Sequence, residues 1–256
     1  MNIKFQIKNG DSGLGIKFFW KMEIKTRSPV ALTEHFIPEL FFDYFHLQVG
    51  EMHTLDYVSG RKRKLPSQLL KSIFTQPFGL LYSTPVLLFG ARLSLGFAET
   101  FSEAGLYPNS LQAINWVAGK FNSLDVFARA VTDFLENHRK QRSPYPMFKA
   151  LLEESDWLVH YSARHKRRLY HDVFGLSRKE LQNIHNLHTF LAQACDFGAQ
   201  NPRIIKHVNP DVYYDQPHLN HAFKKLTGLS PVEYFEANSI LQDNLMSASY
   251  NEDQAS

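Results

Sequence analysis

Along the first hundred residues the apolar and polar positions alternate. Ile3-Lys-Phe-Gln-Ile7 alternates strictly, Asn9-Gly-Asp-Ser-Gly13 supplies turn residues, and a longer run extends from Ile16 to Ile24. A period of two broken by Gly, Asn and Asp predicts strands. Phe41–Val49, Thr54–Val58 and Val86–Ser94 predict further ones. The most apolar stretch, Phe78 to Ala98, carries Pro85 and Arg92 and alternates, so it reads as a pair of strands and not as a membrane span. Ser59-Gly-Arg-Lys-Arg-Lys64 reads as an exposed loop, and Phe97–Leu106 and Leu111–Ala118 as short helices.

After Ser123 the period changes. Ser123 has the chemistry of an N-cap, and Leu124, Phe127, Ala128, Val131, Phe134 and Leu135 follow at helical spacing. Gln141-Arg-Ser-Pro-Tyr-Pro146 reads as a linker, because two prolines interrupt any helix there. Beyond it the helical pattern predominates: Met147–Ser155, Ala163–Val173 capped by Ser162, Ser177–Ala194, Pro202–Val208, Asp215–Leu226 and Val232–Leu245. Leu181, Ile184, His188 and Leu191 form one stripe of the longest helix. No repeat of simple period is visible. Strands first and helices afterwards predict an α+β chain. The expected division is a β-rich domain over 1–140, an all-α domain over 147–245 and a disordered acidic tail over 246–256.

Charge sharpens that division. The chain has 256 residues and a net charge of +3, but residues 1–137 carry +2, residues 138–231 carry +6 and residues 232–256 carry −5. Nine of the twelve histidines lie after residue 137. A basic, histidine-rich segment suits an anionic partner, nucleic acid first, although a solvated surface of ordinary kind would carry the same charge. The single cysteine, Cys195, excludes an internal disulfide and any Cys-x-x-Cys site, and reads as a small buried residue. No apolar leader precedes the first strand, so a cytoplasmic protein without a membrane partner is expected.

The most informative stretch is Tyr213-Tyr-Asp-Gln-Pro-His-Leu-Asn-His-Ala-Phe-Lys-Lys-Leu-Thr-Gly-Leu-Ser-Pro-Val-Glu-Tyr234. Leu219, Phe223 and Leu226 are spaced to pack inward. Asn220, His221 and Lys224 can then face outward, a donor-rich surface suited to base edges and phosphates. This stretch resembles the second helix-turn-helix of AraC/XylS-type transcriptional regulators, whose signature ends in Lys-x-x-Thr-Gly-x-Ser-Pro. Upstream, Ser162-Ala-Arg-His-Lys-Arg-Arg-Leu-Tyr170 and Phe174-Gly-Leu-Ser177 resemble the recognition helix and exit of the family's first unit. Residues 177–195 stand where the family has its connecting helix. About 18 residues at ~1.5 Å each span roughly 27 Å, against ~34 Å between successive major-groove sites. The resemblance covers residues 147–235. Leu87-Leu-Phe-Gly-Ala-Arg-Leu93 and Gly96-Phe-Ala resemble the β-rich domain that precedes the DNA-binding half in some members, and that domain is cupin-like in AraC-type sensors.

The resemblance implies a bacterial, sequence-specific regulator that contacts double-stranded DNA through Arg164, His165, Arg167 and Arg168 of the first unit and Pro217, His218, Asn220, His221, Lys224 and Lys225 of the second. It also implies a small-molecule effector, a homodimer and contact with RNA polymerase. Two departures concern the second unit: Pro210 shortens its scaffold helix and Val212 resists φ > 0 in its turn. They leave open an alternative, a degenerate regulator acting as a weak DNA binder or a protein-interaction module. An enzyme is not expected: there is no Gly-x-Ser-x-Gly, P-loop or Gly-x-Gly-x-x-Gly. No cofactor or metal is expected either. His35, His46 and His53 form a conceivable three-histidine set without the compact His-x-His spacing, and Arg92 is read as an ion-pair partner before a carboxylate ligand.

Overall fold

The computed structural model describes residues 1–57, 59–101, 107–139, 159–194, 216–230, 233–234 and 239–252. The linker expected over 141–146, the helices expected over 147–155 and 202–208, Cys195, Pro210 and Val212 lie outside them. Ten strands and six helices are described: β1 Asn2–Asn9, β2 Ile16–Lys25, β3 Ala31–Phe36, β4 Phe42–Val49, β5 Met52–Leu55, β6 Lys62–Lys64, β7 Gln68–Lys71, β8 Phe78–Ser83, β9 Val86–Leu93, α1 Leu95–Thr100, β10 Leu111–Ala113, α2 Leu124–Asn137, α3 Ala163–Phe174, α4 Arg178–Ala194, α5 Gln216–Thr227 and α6 Ile240–Glu252. The chain is α+β.

The strands form two antiparallel sheets, one ordered β1-β2-β9-β4-β7-β10 and one ordered β3-β8-β5-β6. Phe18, Trp20, Met22, Phe45 and Leu88 of the larger sheet meet Phe36, Met52, Leu80 and Tyr82 of the smaller one in a shared core. The larger sheet's other face carries Phe19, Tyr44, Phe89 and Ala91, which pack under α2 through Leu124, Phe127 and Val131. Both faces of β2 and β9 are therefore buried, which explains why these strands read as nearly continuous apolar runs. Gly90 of β9 is required by this packing, because a Cβ there would meet the Trp20 ring at 2.2 Å.

Several expectations need correction. Residues 62–64 are not part of a loop; they pair with His53–Leu55 as an edge strand, so the turn is confined to the residues between. Leu111–Ala113 is a strand and not a helix, because it completes the larger sheet against Leu69–Lys71. The stretch from 246 to 252 is not a disordered tail. It continues α6, and Met246 and Ser249 are buried against the rest of the molecule. Local acidity was outweighed there by apolar burial.

The described helical part shares cores with the sheets. Tyr170, Phe174, Leu176, Leu181 and Ile184 belong to the same apolar cluster as Phe89 and Phe127. Leu241 and Leu245 of α6 complete the core between the sheets. A third cluster joins Leu187, Phe190 and Leu191 of α4 to Phe223 of α5, Met246 of α6 and Ile37 from the loop after β3.

Candidate nucleic-acid interface

α3 and α5 are built alike. Each has twelve residues, and α5 begins where α3 would if moved 53 positions along the chain. Tyr170 and Phe174 are the buried residues of α3. Phe223 and Thr227, buried on α5, occupy the equivalent places. Both helices stop at a glycine in the left-handed region, Gly175 at φ 67° and Gly228 at φ 77°, which satisfies trailing carbonyls without a Cβ penalty. Each glycine is followed by Leu-Ser and the same reciprocal cap. The Ser177 N–H donates to Glu180 Oε2 at 2.8 Å while the Glu180 N–H donates to Ser177 Oγ at 3.2 Å. The Ser230 N–H donates to Glu233 Oε2 at 2.7 Å, and the Glu233 N–H donates to Ser230 Oγ at 3.3 Å. Such a box fixes the start of the next helix. The internal repeat missed by simple period is thus a repeat of helix, exit and cap.

The outward faces correspond too. Arg164, Arg167 and Arg168 are exposed on α3, and Pro217, Asn220 and His221 are exposed at the same three positions of α5. Lys224 and Lys225 are also exposed. His165 is half-buried and stacks on Tyr161 at 4.7 Å, with Arg168 reaching its Nδ1 at 3.2 Å. The side chain of His218 lies outside the described set. Of the residues expected to pack α5 inward, Phe223 is buried and Leu226 half-buried. Charge concentrates on α3, and α5 offers an amide, an imidazole and two ammonium groups. Neutral–cationic donor faces of this kind suit phosphates and the acceptor edges of bases.

What sequence reading missed is how these helices are held. His35 of β3 accepts from Tyr57 Oη through Nδ1 at 2.8 Å and donates from Nε2 to the Thr227 carbonyl, also at 2.8 Å, at the end of α5. Burial pushes its pKa below the ordinary 6.5, partly offset by the Thr227 bond. His188 of α4 donates to the Pro38 carbonyl at 2.6 Å, and burial lowers its pKa likewise. Glu34, buried, accepts from the N–H groups of Leu241 at 3.0 Å and Gln242 at 3.4 Å, the first turn of α6, and from Tyr82 Oη. The bonds that tie the β part to α4, α5 and α6 span 150 to 208 residues of chain, so no local pattern could announce them.

Arg92 is an ion-pair partner, as expected. Its guanidinium bonds Asp43 at 2.8 and 3.1 Å and Glu39 at 3.0 and 2.8 Å, and also reaches Ser249 Oγ of α6 at 3.0 Å. Lys71 joins at 2.9 Å from Asp43. Burial alone would raise the Asp43 carboxyl, but Arg92 and Lys71 outweigh it and hold it at about 2. The three-histidine set does not assemble: His35 is engaged with Thr227, and His46 bonds Tyr44 Oη at 3.1 Å in the other sheet. Among the described residues no three His, Cys, Asp or Glu side chains gather as metal ligands. Among the same residues no helix is long and apolar enough to cross a membrane.

A cleft of about 800 Å³ opens beside the His35–Thr227 bond. It is lined by Thr54, Tyr57 and Arg63 of the β5–β6 hairpin, by Phe74 and Phe78, and by Gly228 and Leu229 from the exit of α5.

No protein-family model matches this sequence, and no significant match is found among curated proteins. Among solved structures, apo ToxT of a point variant from Vibrio cholerae is 15% identical over 90% of this chain and 99% of its own, with a TM-score of 0.45. ToxT bound to an unsaturated fatty acid is 13% identical over 84% of this chain and 97% of its own, at 0.39. The Cupin_2 domain of an XRE family transcriptional regulator from Enterobacter cloacae is 13% identical over 37% of this chain and 97% of its own, at 0.25. All three likenesses are distant.

Proposed function

We propose that the chain is a sequence-specific DNA-binding transcription regulator, with α3 and α5 as the recognition helices of two helix-turn-helix units and α4 as the connector between them. One observation carries this reading: two twelve-residue helices that repeat in burial, exposure, glycine exit and capping box, with donor-rich outer faces. The resemblance of both stretches to AraC/XylS-type units agrees with it. Arg164, Arg167 and Arg168 then supply phosphate and base contacts in one major-groove segment. Asn220, His221, Lys224 and Lys225 supply them in the next. The β sandwich is the sensing part, non-enzymatic, and the cleft against Gly228 and Leu229 is the seat of a small-molecule effector, because a ligand there touches both the sandwich and the exit of α5. RNA polymerase contact and a cytoplasmic location accompany the reading as family expectations.

The test is sequencing of genomic fragments retained by the full chain, with salt titration. Discrete enriched sites are expected, and affinity should fall steeply with salt as bound phosphates release counterions. Arg167→Ala and Asn220→Ala should each relax preference at separate flanks of the site, a lost bidentate contact costing about 1–3 kcal/mol. Uniform, weak retention by the parent protein would replace this reading with that of a non-specific binder.

A further inference from the structure

A sheet has edges, and an open edge offers unpaired backbone groups to any other strand. The two sheets here have four edge strands, and three are closed off. β6 has three residues, all Lys or Arg, and β10 also has only three. β3 is covered by the C-terminal part of the chain: the His35 N–H donates to Ser239 Oγ at 2.9 Å, and Glu34 holds the first turn of α6. β1 differs from all of them. It is eight residues long, ends its sheet, and is exposed along its length except for the half-buried Phe5. Ile7 is paired with Trp20, so Ile3, Phe5 and Ile7 share the face that continues the core between the sheets. Phe5 stacks on Trp20 at 5.9 Å, while Ile3 and Ile7 stay 40% and 46% exposed.

We propose that β1 is a homodimer interface, pairing antiparallel with β1 of a second copy to make one continuous sheet through both subunits. The occupant follows from the strand's own pattern. A two-fold axis normal to the sheet keeps each face continuous, so only registers that oppose like faces are available. With Phe5 opposite the second copy's Phe5, each Ile3 meets an Ile7, each Lys4 meets a Gln6 and each Asn2 meets a Lys8. Apolar side chains lie opposite apolar ones, and no two cations are opposed. Sliding by two residues in either direction sets Lys4 against the second copy's Lys4 or Lys8, and like charges directly opposite destabilise a pair. The register that pairs the whole length of the strand is therefore complementary to itself. Lys8 is already partnered by Asp125 of α2, which keeps that ammonium on the opposite face from the apolar contact. This inference rests on β1 alone; it holds or fails without DNA.

Sedimentation of the full chain without DNA, up to about 100 µM, tests it. A concentration-dependent dimer is expected. Ile3→Lys/Ile7→Lys places cations opposite one another at both ends of the contact and should weaken dimerisation at least about tenfold. Because both positions are exposed, its thermal unfolding should match the parent's at concentrations where both are monomeric. The register is read by cross-linking in a Cys195→Ser background. Lys4→Cys/Gln6→Cys brings thiols across the pair at about 4.5–5.5 Å between Cβ atoms and should give a covalent dimer on mild oxidation, whereas Lys4→Cys alone should not. A parent monomeric throughout, a dimer that survives the double lysine change, or preferential cross-linking through Lys4→Cys alone would each overturn the proposal.

Discussion

At the scale of single residues, the strongest constraints are charges taken out of water. Arg92, Asp43, Glu39 and Lys71 are all essentially inaccessible, and each charge is tolerated only because the others are present. Arg92→Met should therefore cost about 3–5 kcal/mol, measured by urea unfolding, since it leaves Glu39 with only Lys71 at 3.9 Å and takes one of two cations from Asp43. His35 gives a pH-dependent counterpart. Its folded pKa lies below the ordinary 6.5, so the unfolded chain binds the proton more readily. The stability His35 contributes is present above 6.5 and is lost as pH falls through the lower folded value. His35→Gln retains an amide donor for the Thr227 carbonyl without titrating. The stability advantage of the parent over His35→Gln should shrink between pH 7.5 and 5.5; an advantage independent of pH would mean that the ring does not titrate there. Glu34 runs the other way, because burial raises its pKa against the bonds from Tyr82 and α6. Its contribution is largest below its ordinary 4.5 and fades as pH rises through the raised value.

At the scale of elements, legibility followed the range of the interactions that fix each one. α2 was readable because Ser123 caps it and its apolar positions recur at helical spacing, and those residues are the buried ones. α3, α4 and α5 were readable for the same reason, and the exposure of Arg164, Arg167 and Arg168 on α3 and of Asn220, His221 and Lys224 on α5 could be named in advance. β3 was missed because Ala31-Leu-Thr-Glu-His-Phe36 looks polar: Glu34 and His35 point to partners from the distant end of the chain, satisfied by bonds that no local window contains. β10 was misread because three residues take their conformation from the strand beside them. The twinned exits of α3 and α5 were open to inspection, since Gly-Leu-Ser-x-x-Glu occurs at 175 and again at 228, but a single short match stands out only once both ends prove to be capped identically. Gly90 illustrates the element-level limit from the opposite side. Its sequence neighbourhood marks a strand, whereas its necessity comes from Trp20 on the next strand. Gly90→Ala should cost about 1–3 kcal/mol by overpacking, seen as a lower urea midpoint with an unchanged slope.

At the scale of the whole molecule, the described helices and sheets form one packed object. α6 completes the sandwich core through Leu241 and Leu245, and Glu34 and the Arg92 cluster hold its backbone and side chains. Leu245→Ala should accordingly destabilise the β sandwich and α6 together, by about 2–5 kcal/mol, in a single transition by fluorescence and by circular dichroism. Separate transitions would show that the two parts unfold independently. The arrangement also orders events during synthesis. Strands β1 to β9 leave the ribosome well before residue 240 is made, so the nascent sandwich waits with an open apolar seat that only a later part of the same polypeptide fills. A chain broken off after α5 would carry both candidate reading helices but an unfinished core, and would be the preferred prey of cellular proteases. Quality control on the sandwich thereby becomes quality control on the whole chain: a truncated product that keeps both candidate helices is exposed to degradation where the finished one is not.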